Sequence, residues 1–254
     1  MSCFEINKLP KCYGIIPARY GSTRFPGKSL TKILGKPMFW HVFERAKKCR
    51  ELSQIILATD DERIFSAAKE LEVPVVMTRN DHISGTDRVL EAAELLQVPE
   101  DAIILNIQGD EPALEPAMLT EIIRPFMSQK VQVTTLAKKI EKNEAENPNQ
   151  VKVVFTKEGR VLYFSRSPIP YNSDSKENVF YGHIGLYAFR MNILKQFAAL
   201  APSCLETTEK LEQLRLLENN IQIHVVLTTH RSIGVDRPDD IKIVSKIIME
   251  KEKG

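Results

Sequence analysis

The sequence predicts an α/β fold: a mainly parallel, doubly wound sheet with an antiparallel elaboration in its second half. Three observations carry this. Short apolar runs alternate with helix-period segments through the first half. Strand-like runs without long intervening helices follow in the second. A loop dense in glycines, hydroxyls and cations leaves the first apolar run directly, where open α/β sheets place their ligands.

Residues 12–17, 54–58, 73–77 and 102–107 read as buried strands. Between them, Phe39, Val42, Phe43 and Ala46 recur at i, i+3, i+4 and i+7, the spacing of an amphipathic helix. Residues 61–72 and 85–97 also read as helices, and Leu119, Ile122, Ile123 and Phe126 repeat the spacing. Beyond them, 151–155, 161–164 and 183–189 read as strands, with 138–150 and 168–178 as loops. Residues 208–219 read as one strongly charged helix and 222–227 as a strand. A last helix starts near Pro238 and runs through Ile241, Val244, Ile247 and Ile248. No repeat is visible, so 1–254 is read as a single domain, with 138–190 as an antiparallel subdomain or dimer arm.

A chain of 254 residues buries a core without staples. Its 35 basic and 33 acidic residues give a net charge of +2, too small to argue for nucleic acid or an anionic membrane as partner. Any bound anion must be held by a local cluster. Cys3, Cys12, Cys49 and Cys204 form no CxxC pair and no metal spacing, the pattern of a reducing compartment. The N-terminal segment carries Glu5, Lys8 and Lys11 and no long apolar run, so it reads as neither signal peptide nor anchor. The expected location is the cytoplasm.

The most informative segment is Pro17-Ala-Arg-Tyr-Gly-Ser-Thr-Arg-Phe-Pro-Gly-Lys28. Gly21 and Gly27 let main-chain N–H groups approach phosphate oxygens, Ser22 and Thr23 offer hydroxyls, and Arg19, Arg24 and Lys28 bring positive charge. A solvated basic turn would not concentrate all of these at the end of the first strand. Nor is it a Walker loop, because five residues separate Gly21 from Gly27 where that loop needs four. Asp110 follows the strand at 102–107, and Asp236 sits in a GlyValAsp run before the last helix. Two carboxylates converging on one sheet edge suit Mg²⁺, which is commonly held by one or two of them plus substrate phosphates. Taken singly, Asp110 reads as a turn former and Asp236 as a helix cap.

The first loop is similar to the signature of the sugar nucleotidyltransferases, which share a Rossmann-like fold, and specifically to the 3-deoxy-manno-octulosonate (Kdo) cytidylyltransferases. The resemblance continues in order through 34–38, 78–88, 106–112, 162–166, 183–187, 209–215 and 234–236, nearly the whole chain from residue 11 onward. Departures are small: Phe25 stands for a usual Leu, Asp87 for a usual Glu, Arg237 for a more frequent Thr, and the loop before Val179 is shorter. The first ten residues have no counterpart.

The resemblance implies transfer of CMP from CTP to the anomeric hydroxyl of Kdo, with release of pyrophosphate, in a Mg²⁺-dependent homodimer that feeds lipopolysaccharide assembly. It places Ala18, Arg19, Ser22, Thr23, Arg24, Lys28, Arg79, Ser84, Gly85 and Thr86 at CTP. Asp110 and Asp236 become metal ligands, and these two with Arg24 and Lys28 the catalytic set. Gln108, Arg166, His183, Tyr187, Glu212 and Gln213 are left for the sugar. Arg166 or Arg79 would supply the fork that a sugar carboxylate needs. His183 and Tyr187, four apart on a strand, share a face. Ser84, Gly85 and Thr86 open a helix, as phosphate contacts or as a cap. Gln108 and Gly109 shape the approach to the sugar, Glu111 is structural support, and Trp40, His41, His224 and His230 are ordinary packing or surface groups. No nucleophile pair suggests a covalent intermediate. The rival readings are a cytidylyltransferase for another acidic sugar, such as a sialic acid, and a nucleotide-binding protein without turnover.

Overall fold

The computed structural model describes residues 9–21, 25–82, 84–171, 179–230 and 233–252. In chain order the elements are β1 Cys12–Ala18, β2 Lys32–Ile33, β3 Lys36–Pro37, α1 Met38–Ala46, β4 Leu52–Thr59, α2 Glu62–Glu70, β5 Val75–Met77, α3 Gly85–Leu95, β6 Ile103–Asn106, α4 Pro116–Ile123, β7 Val133–Ile140 and α5 Lys142–Glu146. Then come β8 Lys152–Phe155, β9 Val161–Ser165, β10 Phe180–Arg190, α6 Met191–Ala199, α7 Cys204–Glu209, α8 Leu214–Glu218, β11 Ile223–Leu227 and α9 Asp240–Glu252. The chain divides into two compact units. One is 11–120 with 230–254; the other is 121–229 with the first ten residues.

In the unit 11–120 with 230–254, β1 pairs in parallel with β4 on one side and β6 on the other, and β4 pairs in parallel with β5. Strands covered on both faces must be apolar throughout, and β6 is buried along its whole length. This is the mainly parallel sheet with helices on both sides that the alternating pattern predicts. Asp61 starts α2 by accepting from the Arg63 amide at 3.0 Å. The helix α9 packs Ile241, Val244, Ile247 and Ile248 against Ile33, Met38, Ala113 and Val235.

Because these strands are parallel, the loops after β1, β4 and β6 leave from one edge. Two of them touch there: a Cβ on Gly109 would stand 2.7 Å from the Pro17 carbonyl oxygen, so only glycine fits the approach.

In the unit 121–229, β7 is central, pairing antiparallel with β10 and parallel with β11. The strands β10, β8 and β9 follow as antiparallel neighbours. Here is the antiparallel second half, with three differences from the sequence pattern. The residues 138–150, read as a loop, contain the end of β7 and the short helix α5, and β7 itself carries threonines and lysines that mask its burial. The helix α6 has no counterpart among the expected elements. The helix read over 208–219 is two, because Lys210 turns left-handed at φ 55 and the Leu211 amide reaches back to the Glu206 carbonyl, ending α7. Among the described residues no helix is long and apolar enough to cross a membrane.

Candidate active site

A cleft of about 270 Å³ lies within the unit 11–120 with 230–254, at the edge where β1 and β6 end. Of the residues singled out from sequence, Arg19, Lys28, Ser84, Gly85, Gln108, Gly109, Asp110 and Asp236 line it. Pro17, Ser29 and Arg88 complete the wall. Ser22, Thr23 and Arg24 lie outside the described residues.

Lys28 is aimed across the cleft. Its Nζ forms an ion pair with the Asp110 carboxylate and also donates to the Val235 carbonyl at 3.3 Å. The Val235 amide in turn donates to the Asp110 carbonyl at 2.8 Å. One lysine thus joins three segments far apart in sequence. These bonds bear on the turn-former and helix-cap readings of the two aspartates. The Asp110 side chain reaches a lysine 82 residues away, not its own turn. Asp236 stands four residues before α9, which begins at Asp240. There the Asp240 carboxylate accepts from the amides of Asp236 and Arg237 at 2.9 and 2.8 Å. Asp236 itself is exposed on the cleft wall.

The first turn of α3 opens on the cleft through Ser84 and Gly85. The Ser84 hydroxyl accepts from the Asp87 amide and the Asp87 carboxylate accepts from the Ser84 amide, both at 3.1 Å, so a shorter Asp still closes the capping box. Ser84 is therefore a cap, and the positive end of the helix is presented to whatever anion the cleft holds. Thr86 is buried and takes a 3.5 Å bond from Asn106, whose amide oxygen is met by Gln108 at 3.4 Å. Ala18 is the buried last residue of β1.

Arg79 does not line the cleft. Its side chain is exposed and lies 3.6 Å from Asp81 and 3.9 Å from Glu91. The arginine of this segment that does reach the cleft is Arg88, buried and held by Asp60 at 2.7 Å and by the Thr78 hydroxyl. The sequence offered one signal for it: Arg88 falls one helical turn after Gly85, on the same face of α3.

The other unit gathers a second group. His183 and Tyr187 do share a face of β10, with ring centroids 5.4 Å apart, although a bulge lies between them. The Thr135 hydroxyl lies 2.9 Å from the Leu186 carbonyl and 3.2 Å from that of Ile184, which take its single proton. With that proton given to a carbonyl, His183 Nε2, 2.9 Å away, would donate to Thr135 in the tautomer that leaves Nδ1 as an acceptor. Burial pushes the imidazole down to about 3. Burial also lifts the Tyr187 phenol well above its usual range, with Glu212 adding to the rise and Thr135 opposing it. Glu212 and Gln213 sit on the turn between α7 and α8, not on a helix. The Arg166 guanidinium is engaged by main-chain carbonyls, Glu209 at 2.8 Å, Pro148 at 3.0 Å and Lys210 at 3.3 Å. Offering its fork to a sugar carboxylate would require exchanging those bonds.

The profile of the family described as Cytidylyltransferase matches residues 13–223. A 3-deoxy-manno-octulosonate cytidylyltransferase of Oleidesulfovibrio alaskensis is 60% identical over 243 residues, covering 95% of this chain and 98% of that one. One of Lawsonia intracellularis is 52% identical over 243 residues, covering 95% and 96%. A solved structure of CMP:2-keto-3-deoxy-manno-octonic acid synthetase complexed with CTP superposes with a TM-score of 0.90 at 39% identity, covering 95% of this chain and 99% of that one. The chain therefore belongs to the cytidylyltransferase family and, within it, to the 3-deoxy-manno-octulosonate cytidylyltransferases. The fold alone extends further, to a 4-diphosphocytidyl-2C-methyl-D-erythritol synthase of Anaerococcus prevotii at a TM-score of 0.62 and 15% identity.

The environment of His183 makes a pH prediction. Its folded value lies below the ordinary 6.5, so below that pH the unfolded chain binds a proton that the folded chain refuses. The stability it permits is complete above pH 6.5 and falls as pH drops toward 3, by at most about 1.4 kcal/mol per pH unit. The His183 ring resonances in an NMR titration should stay fixed from pH 8 to pH 5; a midpoint near 6.5 would put the ring in water.

Proposed function

We propose that this chain transfers CMP from CTP to the anomeric hydroxyl of Kdo, giving CMP-Kdo and pyrophosphate and activating the sugar for lipopolysaccharide synthesis. The observation that carries the reading is the likeness, over 95% of the chain, to a synthetase solved with CTP, combined with a cleft that collects Lys28, Asp110 and Asp236. In-line attack of the hydroxyl on the α-phosphate builds negative charge on phosphate oxygens, so the chain's task is placement and charge stabilisation. Arg19, Lys28 and the first turn of α3 would hold the triphosphate, and Lys28 with Arg24 would neutralise the departing pyrophosphate. Gln108, His183, Tyr187, Glu212 and Gln213 would read the sugar, the His183 Nδ1 accepting from a hydroxyl. For the carboxylate of the sugar, Arg166 remains the proposed fork.

The donor set of the cleft suits Mg²⁺: two carboxylates, Asp110 and Asp236, with the remaining positions left to phosphate oxygens and water. No group of three or more His, Cys, Asp or Glu that could hold a metal occurs among the described residues. When bound there, Mg²⁺ would supply Lewis-acid polarisation of the phosphate and make the sugar hydroxyl a better nucleophile. We also propose a cytoplasmic homodimer; the exposed Leu162 and Leu227 in the unit 121–229 are apolar surface that such a contact could cover.

Three outcomes are expected. Pyrophosphate release should favour CTP over ATP, GTP and TTP, and Kdo over N-acetylneuraminate; equal turnover of the two acidic sugars removes the Kdo assignment, and no turnover favours a binding protein. Asp236→Asn should leave the thermal melt nearly unchanged and Asp110→Asn, which breaks the pair with Lys28, should lower it, while each cuts turnover about a hundredfold or more, ~3 kcal/mol of barrier, with partial recovery at high Mg²⁺. Full activity of both variants at low Mg²⁺ would move the metal site elsewhere. Sedimentation equilibrium should return twice the mass of the chain, and a monomer mass would remove the dimer.

A further inference from the structure

The loop that reads as the triphosphate cradle begins at Tyr20 and closes at Gly27, where the Gly27 amide donates to the Tyr20 carbonyl at 2.8 Å. Gly27 has φ +69, and a Cβ there would meet the Tyr20 ring at 2.9 Å, so the glycine lies directly against the hydroxyl-bearing end of the ring. Lys28 follows immediately and crosses to Asp110. The position of the Tyr20 ring therefore sets where both ends of the cradle sit.

That ring rests on a guanidinium supplied by the next strand connection. Because Ala18 and Thr59 are register partners on β1 and β4, the residues just after β4 lie beside the start of the cradle. There the Arg63 Cζ lies over the Tyr20 ring, 3.3 Å from its centroid. Arg63 is not free to swing. Its Nε and Nη2 donate to the two oxygens of Asp61 at 2.9 and 2.6 Å, a planar fork that fixes the plane presented to the ring. Asp61 is itself fixed, capping α2 and donating its own amide to the Thr59 hydroxyl at 3.3 Å. Arg63 lines no part of the cleft and lies outside every motif shared with the family.

We propose that Arg63 is a positioning residue for nucleotide binding: the Asp61–Arg63 fork stacks on Tyr20 and holds the cradle's ends, and so Lys28, in register for the triphosphate. This rests on the CTP reading above. The prediction is a loss of nucleotide affinity with the fold intact. Arg63→Ala should raise the KM for CTP about two- to fivefold, the factor that an exposed stacked cation–π contact sustains, and leave the KM for the sugar at saturating CTP within about twofold. Tyr20→Ala should do the same, and Tyr20→Phe, which keeps the ring face and loses the hydroxyl's contact with Arg63, should fall between wild type and Tyr20→Ala. Arg63→Lys keeps the charge and loses the planar fork, so it should fall between. The decisive comparison is the double variant: if Arg63 acts through Tyr20, adding Arg63→Ala to Tyr20→Ala changes the CTP KM no further.

Calorimetric titration with CTP alone reads the same effect without turnover. A wild-type chain that binds CTP but releases no pyrophosphate would sink the transferase reading, while a weaker CTP isotherm in Arg63→Ala would still support this one. An unchanged CTP KM and isotherm in Arg63→Ala, or losses that multiply in the double variant, overturns it.

Discussion

The site depends on the ion pair between Lys28 and Asp110. It is the point where the loop after β1, the loop after β6 and the segment before α9 are tied together, the last through the Val235 carbonyl and amide. Both side chains are partly shielded, so the attraction is stronger than for a surface pair yet still open to exchange. That openness suits the proposed chemistry. In the proposed reaction a phosphate entering the cleft would compete with Asp110 for the lysine, and each contact it took would free carboxylate charge for a cation. Before the nucleotide arrives, the pair keeps two opposite charges from lying uncompensated in a narrow space.

Everything around the pair serves to hold its partners still. Glycine at 109 lets the β6 loop lie on the Pro17 carbonyl, and the apolar face of α9 seats Val235 against Ile33 and Met38. Beyond Asp110, Glu115 is gripped by Arg45 of α1 at 3.0 Å and by Lys251 of α9, which also donates to the Ala113 carbonyl at 2.9 Å. The Asp110 segment is thus pinned at both ends, by a main-chain bond from Val235 and by a two-sided charge clamp a few residues later.

The parallel half was legible in the sequence for a plain physical reason. Strands buried on both faces must be unbroken apolar runs, and the runs at 12–17, 54–58 and 102–107 fall on β1, β4 and β6. The antiparallel half was less so. Thr134 and Thr135 of β7 are fully buried yet polar, because their hydroxyls are satisfied by carbonyls of Ile122 and Leu186 that no local pattern reveals. The break at Lys210 required a left-handed residue that is not glycine. At the site, the loop and both aspartates could be picked out from spacing and resemblance. The Lys28–Asp110 pair, the replacement of Arg79 by Arg88 at the cleft wall, and the bonds that occupy Arg166 are tertiary facts, each set by residues distant in the chain.

The unit that holds the cleft is discontinuous: the chain leaves it after residue 120 and returns at 230. Translation therefore delivers the cleft in two instalments. Asp110 and Asp236 are 236 − 110 = 126 residues apart, a gap of roughly 6–25 seconds at ordinary bacterial elongation rates of about 5–20 residues per second. During that interval the emerging chain carries Lys28, Asp110 and the start of α3, but neither Val235 nor the apolar face of α9. On the proposed mechanism, a nascent chain in that interval would already offer cations to a nucleotide while lacking the second carboxylate, and transfer would begin only once the final helix has docked.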